Sequence, residues 1–272
     1  MHVWAVANQK GGVGKTTTAI TLGGILADKG HQVLLLDLDP HGSLTSYFKY
    51  DPDSVDKSVY DLFQHRQVPE SLPASLLLDT GHDRIKIMAA STALATLERQ
   101  VSGKGGMGLV IAKSLAQLWN RFDYVLIDSP PVLGLLMINA LAACEQLIIP
   151  VQTEFLAIKG LERMMRTLKM INKARKQGLP YTVVPTLYDR RTQASIQSLR
   201  LLRNTYGDVI WHSMVPVDTK FRDASVAGMP ASMLDPNSRG VHAYSVLLKF
   251  LQEKETELRR QSPASLQEGT GQ

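Results

Sequence analysis

Cysteine is almost missing from this sequence: among 272 residues only Cys144 occurs. One thiol cannot close an internal disulfide, nor can it build a metal site from several thiolates. Its apolar neighbours in "NALAACEQLIIP" suggest a buried small residue. Long apolar runs are missing too. No stretch of about 18 apolar residues occurs, so no membrane span is expected. The opening "MHVWAVANQK" enters a strand-like segment at once, which leaves no room for a signal peptide, and the expected location is cytoplasmic. No internal repeat and no boundary for a second domain are visible. What is present is ordinary for a globular chain: 44% hydrophobic and 20% charged residues in 30 kDa. That length suits one α/β domain with a large core.

Charge is unevenly placed. The net charge is +5, yet the window from Lys159 to Arg203 holds eleven basic and two acidic residues, a local +9. A basic band on a neutral or acidic body attracts a polyanion. A solvated helix face would carry the same charges, and both readings stay open.

Runs rich in Val, Ile and Leu recur: "VWAVA", "VLLLDLD", "IKIM", "YVLID", "QLIIPV", "YTVVPTL" and "VIWHSMVPV". Most lack polar alternation, as parallel strands covered on both faces do. Helical patterns lie between them. In "KGLERMMRTLKMINKARK", Leu161, Met164, Met165, Leu168 and Ile171 follow helical spacing, which makes a core-facing stripe. The expected fold is α/β, a single doubly wound, mostly parallel sheet flanked by helices, with ligands at the carboxyl ends of strands. Residues 1–258 are expected to form the domain. Residues 259–272 are polar and Pro/Gly-containing, and read as a disordered tail. The Gly-rich stretch "RQVSGKGGMG" at 99–108 follows no strand and reads as a flexible connection.

The segment "NQKGGVGKTTT", residues 8–18, lies between strand "VWAVA" and helix "KTTTAITLGGILADKG". That is the context of a phosphate-binding loop. The ordinary pattern G-x-x-x-x-G-K-[ST] fails, because position 9 is Gln9 and the loop carries two lysines, Lys10 and Lys15. Gly11, Gly12 and Gly14 let backbone N–H groups converge on phosphate oxygens, aided by the positive end of the helix. Lys15 would reach the β- and γ-phosphates, and the Thr16 hydroxyl would ligate Mg²⁺. "VLLLDLDP" delivers Asp37 and Asp39 at one strand end and "FDYVLIDSPP" delivers Asp128 at another. Carboxylates at the tips of apolar strands hold Mg²⁺ and its waters in such folds.

"KGGVGKTTT", "LLLDLDPHGS" and "YVLIDSPP" resemble the deviant Walker A, Walker A′ and Walker B segments of the ParA/MinD family of P-loop ATPases. The similarity continues through "IIPVQTEFLAIKGL", "PTLYDRRTQAS" and "VPVDTKFRDASVAGMPASMLDPNSRG", nearly the whole chain. It points to the ParA branch and, in "DLDPHGS" and "TKFRDAS", to the ParC-type ATPases of chemotaxis gene clusters. His41 departs from the glutamine usual after "DLDP" in partition ATPases. The resemblance implies an ATP hydrolase, slow, Mg-dependent and partner-stimulated. Its ATP site would comprise Gly11, Gly12, Val13, Gly14, Lys15, Thr16 and Thr17, with adenine near Pro216. Lys10 would cross a dimer interface to the phosphates of the other subunit's ATP. Asp39 would position the attacking water, with Thr16, Asp37 and Asp128 around Mg²⁺.

The function implied is positioning of a large cargo by ATP-dependent dimerisation. The ParC-like details point to chemotaxis arrays at a cell pole, with a stimulating protein partner, ParB-like or chemotaxis-associated, and a polar anchor. The alternative is a chromosome or plasmid partition ATPase that holds nucleoid DNA non-specifically. Arg191 and Lys220 match motif positions for that use, with Arg200, Arg203 and Arg222 as neighbours. A MinD-like membrane-associated regulator would need a C-terminal amphipathic helix. Here apolar content fades after Leu251, apart from Leu258 and Leu266. An iron–sulfur reductase on this fold would need paired cysteines.

Overall fold

Branched and aliphatic residues on both faces of most strands drive this chain into a sheet buried between two helical layers. The computed structural model describes residues 1–65, 67–97, 106–175 and 178–261. Its strands are β1 (His2–Val6), β2 (Val33–Asp37), β3 (Leu77–Asp79), β4 (Ile85–Met88), β5 (Tyr124–Asp128), β6 (Gln146–Gln152) and β7 (Tyr181–Thr186). The longer helices are α1 (Lys15–Asp28), α2 (Ser43–Tyr47), α3 (Val110–Ala116), α4 (Leu135–Ala143), α5 (Phe155–Ala174), α6 (Gln193–Tyr206), α7 (Lys220–Ala227) and α8 (Arg239–Gln261). The sheet order is β3-β4-β2-β5-β1-β6-β7. All neighbours are parallel except the edge pair β3–β4. The expected doubly wound, mostly parallel sheet is what the chain forms.

The chain leaves β1 toward β2 on one side and later returns to β6 on the other. This reversal opens a crevice at the carboxyl ends of β1 and β5, where such sheets bind ligands. One core layer gathers Ala5, Leu36, Ile127, Ile149 and the helix residues Leu161, Met164 and Leu168. Met165 and Ile171 pack against it, so the Met-rich stripe is core. Cys144 lies in the same layer, 2% exposed, and burial pushes its thiol up to about 12. The other layer joins Trp4, Val6, Leu35 and Leu126 to α1 and to Tyr244, Leu247, Leu248 and Leu251 of α8. Helix α1 lies close on β2 because a Cβ at Gly23 would come within 2.7 Å of the Leu35 side chain.

Three expectations are corrected. "VIWHSMVPV" is not a strand: Gly207–Val209 is a 3-10 turn, and single bridges join Ile210 to Val183 and Pro216 to Tyr188. Met214 and its neighbours leave β7 between those bridges. The strand "VLLLDLD" stops at Asp37, so Asp39 sits in the following loop rather than in the strand. Helix α8 continues to Gln261, past the boundary expected at 258, while the rest of the expected tail and residues 99–105 lie outside the described residues. No described helix is long and apolar enough to cross a membrane.

Candidate functional site

The loop from Ala7 to Gly14 turns between β1 and α1 at the crevice. Gly12 and Gly14 take φ of +72° and +89°, values that favour glycine. A Cβ at either would meet nothing within 4 Å, so backbone shape rather than crowding demands them and the loop's inner side is open. The Thr186 hydroxyl donates to the Val13 carbonyl at 2.8 Å and ties the loop to β7. Val13 itself is buried, which leaves its backbone N–H as the group it can offer a ligand. Asn8 anchors the loop's start by donating to the Pro150 carbonyl at 2.7 Å.

Lys15 opens α1 and is 7% exposed. Burial lowers its pKa, against the opposing pull of Asp128 and then Asp39. Its ammonium lies 3.3 Å from the Lys10 carbonyl. The Thr16 hydroxyl donates to Asp128 Oδ2 at 2.6 Å. Asp37 and Asp128 end adjacent strands in matched register, which makes two carboxylates neighbours. Both are fully buried, and that burial pushes both carboxyl pKa values up; for Asp128 the neighbouring Asp37 adds to it. Asp37 is held by the Thr45 amide at 2.9 Å, the Thr45 hydroxyl at 2.8 Å and the Asp39 amide at 3.1 Å. The second oxygen of Asp128, Oδ1, is buried with no hydrogen-bond partner.

A buried carboxylate oxygen without a donor, beside a second carboxylate and a hydroxyl, is an all-oxygen donor set for a hard cation. Mg²⁺ fits it. Thr16, Asp37 and Asp128 are the residues that would hold it or its waters, and when bound it neutralises charge developing on phosphate oxygens.

Asp39 stands at the mouth of this cluster. Its Oδ1 accepts from the His41 amide at 3.1 Å and lies 2.9 Å from His41 Nδ1. Lys10 points away from Lys15: its ammonium forms an ion pair with Glu154, the N-cap residue of α5. A cavity of about 270 Å³ extends from Gly14 and Thr17 to Val215, Pro216, Phe221 and Tyr244. Pro216 thus faces the loop across a space next to the phosphate cradle. The Tyr244 hydroxyl lies 2.8 Å from the Thr18 hydroxyl and closes the floor.

The residues expected to meet DNA are scattered, and Arg222 among them lines the cavity beside the loop. Arg200 is exposed on α6, and Lys220 and Arg222 are exposed on α7. The Lys220 ammonium lies 3.5 Å from Asp223 and 3.8 Å from Asp235. Arg191 grips Asp189 with two nitrogens and holds that carboxyl down to about 2. Arg203 is not an exposed cation: it is half-buried and donates to the His212 carbonyl. Arg175 is likewise spent on the carbonyls of Leu141 and Cys144, and Lys176 lies outside the described residues.

Thr45, Glu154, His41 as a partner of Asp39, and Tyr244 were not singled out from sequence as site residues. Only Glu154 leaves a signal, an acid directly before a helical pattern.

Comparison with known proteins gives a consistent picture. The AAA domain family model AAA_31 matches residues 1–180. The sporulation initiation inhibitor protein Soj of Bacillus subtilis is 34% identical over 246 residues, covering 90% of this chain and 96% of that protein. The chromosome partitioning protein ParA of Caulobacter vibrioides is 31% identical over 268 residues, 97% of this chain and 98% of its own length. Among solved structures, a cobyrinic acid a,c-diamide synthase from Mycobacterium smegmatis with bound ATP analog and magnesium is similar. It has a TM-score of 0.81 at 33% identity, over 93% of this chain and 94% of that one. A Cyanothece McdA–ATP complex shares the fold, with a TM-score of 0.80 at 21% identity over 93% and 96% of the two chains.

Proposed function

The chain belongs to the ParA/MinD family of P-loop ATPases, with ATP and Mg²⁺ as its ligands, and we propose that it uses ATP-dependent dimerisation to position chemotaxis protein arrays at a cell pole. The observation that carries the switch is Lys10, a second cation in a loop where Lys15 already serves the bound nucleotide. Two triphosphates brought face to face repel each other. A lysine from each side converts that repulsion into attraction, strengthened by exclusion of water. ATP then makes the dimer, and hydrolysis dissolves it. In the single chain Lys10 rests on Glu154, so dimerisation exchanges an intramolecular ion pair for one across the interface.

The choice of cargo rests on finer features. "DLDPHGS" places His41 against Asp39, and "TKFRDAS" begins α7 beside the cavity. These support the ParC-type reading, with a partner protein that stimulates hydrolysis and a polar anchor.

A second reading is a chromosome or plasmid partition ATPase. The exposed cations Arg200, Lys220 and Arg222 favour it, as do relatives named for partitioning.

Fluorescence imaging of the tagged protein in its own cell discriminates the readings. Polar foci that vanish when the chemotaxis proteins are deleted are expected. Nucleoid-wide distribution that ignores that deletion would overturn the chemotaxis assignment in favour of partition.

A further inference from the structure

Asp39 lies beyond the end of β2, so no strand fixes where its carboxylate faces. The segment Asp39-Pro40-His41-Gly42 supplies a local frame instead. Asp, Pro and Gly at the first, second and fourth positions suit a type I turn. The turn is closed by the Gly42 amide, which donates to the Asp39 carbonyl at 2.8 Å. A Cβ at Gly42 would overlap the Pro52 ring, so the turn is pressed against a neighbouring loop. Its start is tied down by the Asp39 amide, which donates to Asp37 Oδ1 at 3.1 Å.

This frame brings the third side chain of the turn back to the first. The His41 amide and ring Nδ1 both meet the same oxygen, Asp39 Oδ1, at 3.1 and 2.9 Å. An ionised carboxylate can only accept, so the proton of the ring contact belongs to Nδ1 and the tautomer is set by it. The His41 side chain is 82% exposed, whereas that of Asp39 is 14% exposed. The imidazole is thus an outer brace on a carboxylate that is itself mostly enclosed. We propose that His41 is a positioning residue for ATP hydrolysis, holding Asp39 by Oδ1 so that Oδ2 accepts from the attacking water. The inference rests on the reading of Asp39 as the water-positioning group.

A carboxylate held by one amide can still swing about its Cβ–Cγ bond. Two donors on one oxygen, one from the backbone and one from a ring, fix the plane and decide which oxygen is left over. The site also holds a competing attraction. Lys15 is close enough for the Asp39 charge to act on its ammonium, and an unbraced carboxylate would be drawn toward it. A group fixed beforehand needs no reordering when the water attacks. The brace itself adds little to stability, because one partner of the pair is exposed. Its effect belongs in the rate.

The test measures single-turnover hydrolysis by the full chain, with protein in excess over ATP, beside equilibrium binding of a fluorescent ATP analogue. His41→Ala should slow hydrolysis by about tenfold, short of the roughly hundredfold cost of a displaced group. Nucleotide affinity and the thermal melt should stay at the parental values. His41→Asn, whose Nδ2 takes the place of the ring Nδ1, should recover most of the rate, and His41→Asp, of the same shape without the donor, should not. Because His41 acts through Asp39, adding His41→Ala to Asp39→Ala should slow the reaction no further. A parental rate in His41→Ala beside a slow Asp39→Ala overturns this inference and leaves Asp39 in its role. A His41→Asn protein as slow as His41→Ala overturns it too, since the ring donor would then not be the cause. Parental hydrolysis by Asp39→Ala overturns both readings together.

Discussion

Asp39 differs from the two aspartates beside it in being at the surface of the site rather than under it. Asp37 and Asp128 are buried and held by Thr45 and Thr16, positions that suit a cation. Asp39 lies at the mouth with the exposed His41 at its side, and we propose it as the group that positions the attacking water. Replacing Asp39 by Ala should leave ATP binding intact and lower hydrolysis by about 100-fold, the lower range of acid–base effects. Lys15→Ala should instead lose nucleotide affinity. Phosphate release measured beside equilibrium nucleotide binding separates the two, and parental hydrolysis in the Asp39 variant would remove it from that role. At this scale the sequence was readable where chemistry dictates residue type: glycines with positive φ, a loop lysine, aspartates at strand tips. Thr45 and Glu154 were not, because each acts through a tertiary contact. Lys10 meets Glu154 across a sequence separation of 144.

Most strands could be read because a fully covered strand has nowhere to put polar residues. Segment 209–217 shows where that rule misleads. It is as apolar as a strand, yet it satisfies β7 through separate contacts, Trp211 N to Val183 O and Val215 N to Pro185 O, with His212 to Met214 diverging between them. The edge strand β3 spans three residues, too few to carry a period. The basic window likewise dissolves into elements of different use. Arg175 and Arg203 cap carbonyls, while Arg163, Arg166 and Lys169 line the exposed face of α5. What remains for a polyanion is the exposed face of α5 and the α6–α7 surface. Arg191→Glu with Lys220→Glu should therefore weaken binding of the ATP-bound form to duplexes of every sequence alike, without altering ATP affinity. With about six phosphates neutralised, affinity should fall by about three orders of magnitude between about 50 and about 200 mM salt. A gel-shift titration on random-sequence DNA checks this. No retention at low salt would mean that the face is merely solvated.

The whole molecule is a sheet that gathers negative charge at one end of its buried strands and waits for a ligand to balance it. Asp128 and Asp37 have pKa values above the unfolded carboxylate value of about 4, so above that pH the native state holds protons that the unfolded chain has released. Their contribution to stability is therefore present at low pH and is lost as pH rises toward about 8, where Asp128 titrates. The melting temperature of the nucleotide-free protein should fall across that window, and Asp128→Asn should flatten the decline; an unchanged slope would contradict the assignment. ATP-dependent dimerisation is the other whole-molecule property, and we propose that it rests on one side chain. Lys10 now lies along α5 with its ammonium on Glu154 and its stem against Gly160. Light scattering with ATP and Mg²⁺ tests the claim most directly. The parent protein should double its mass on adding ATP, while Lys10→Ala, still binding ATP through Lys15 and the loop amides, should stay monomeric. A Lys10→Ala protein that dimerises as well as the parent would contradict the account.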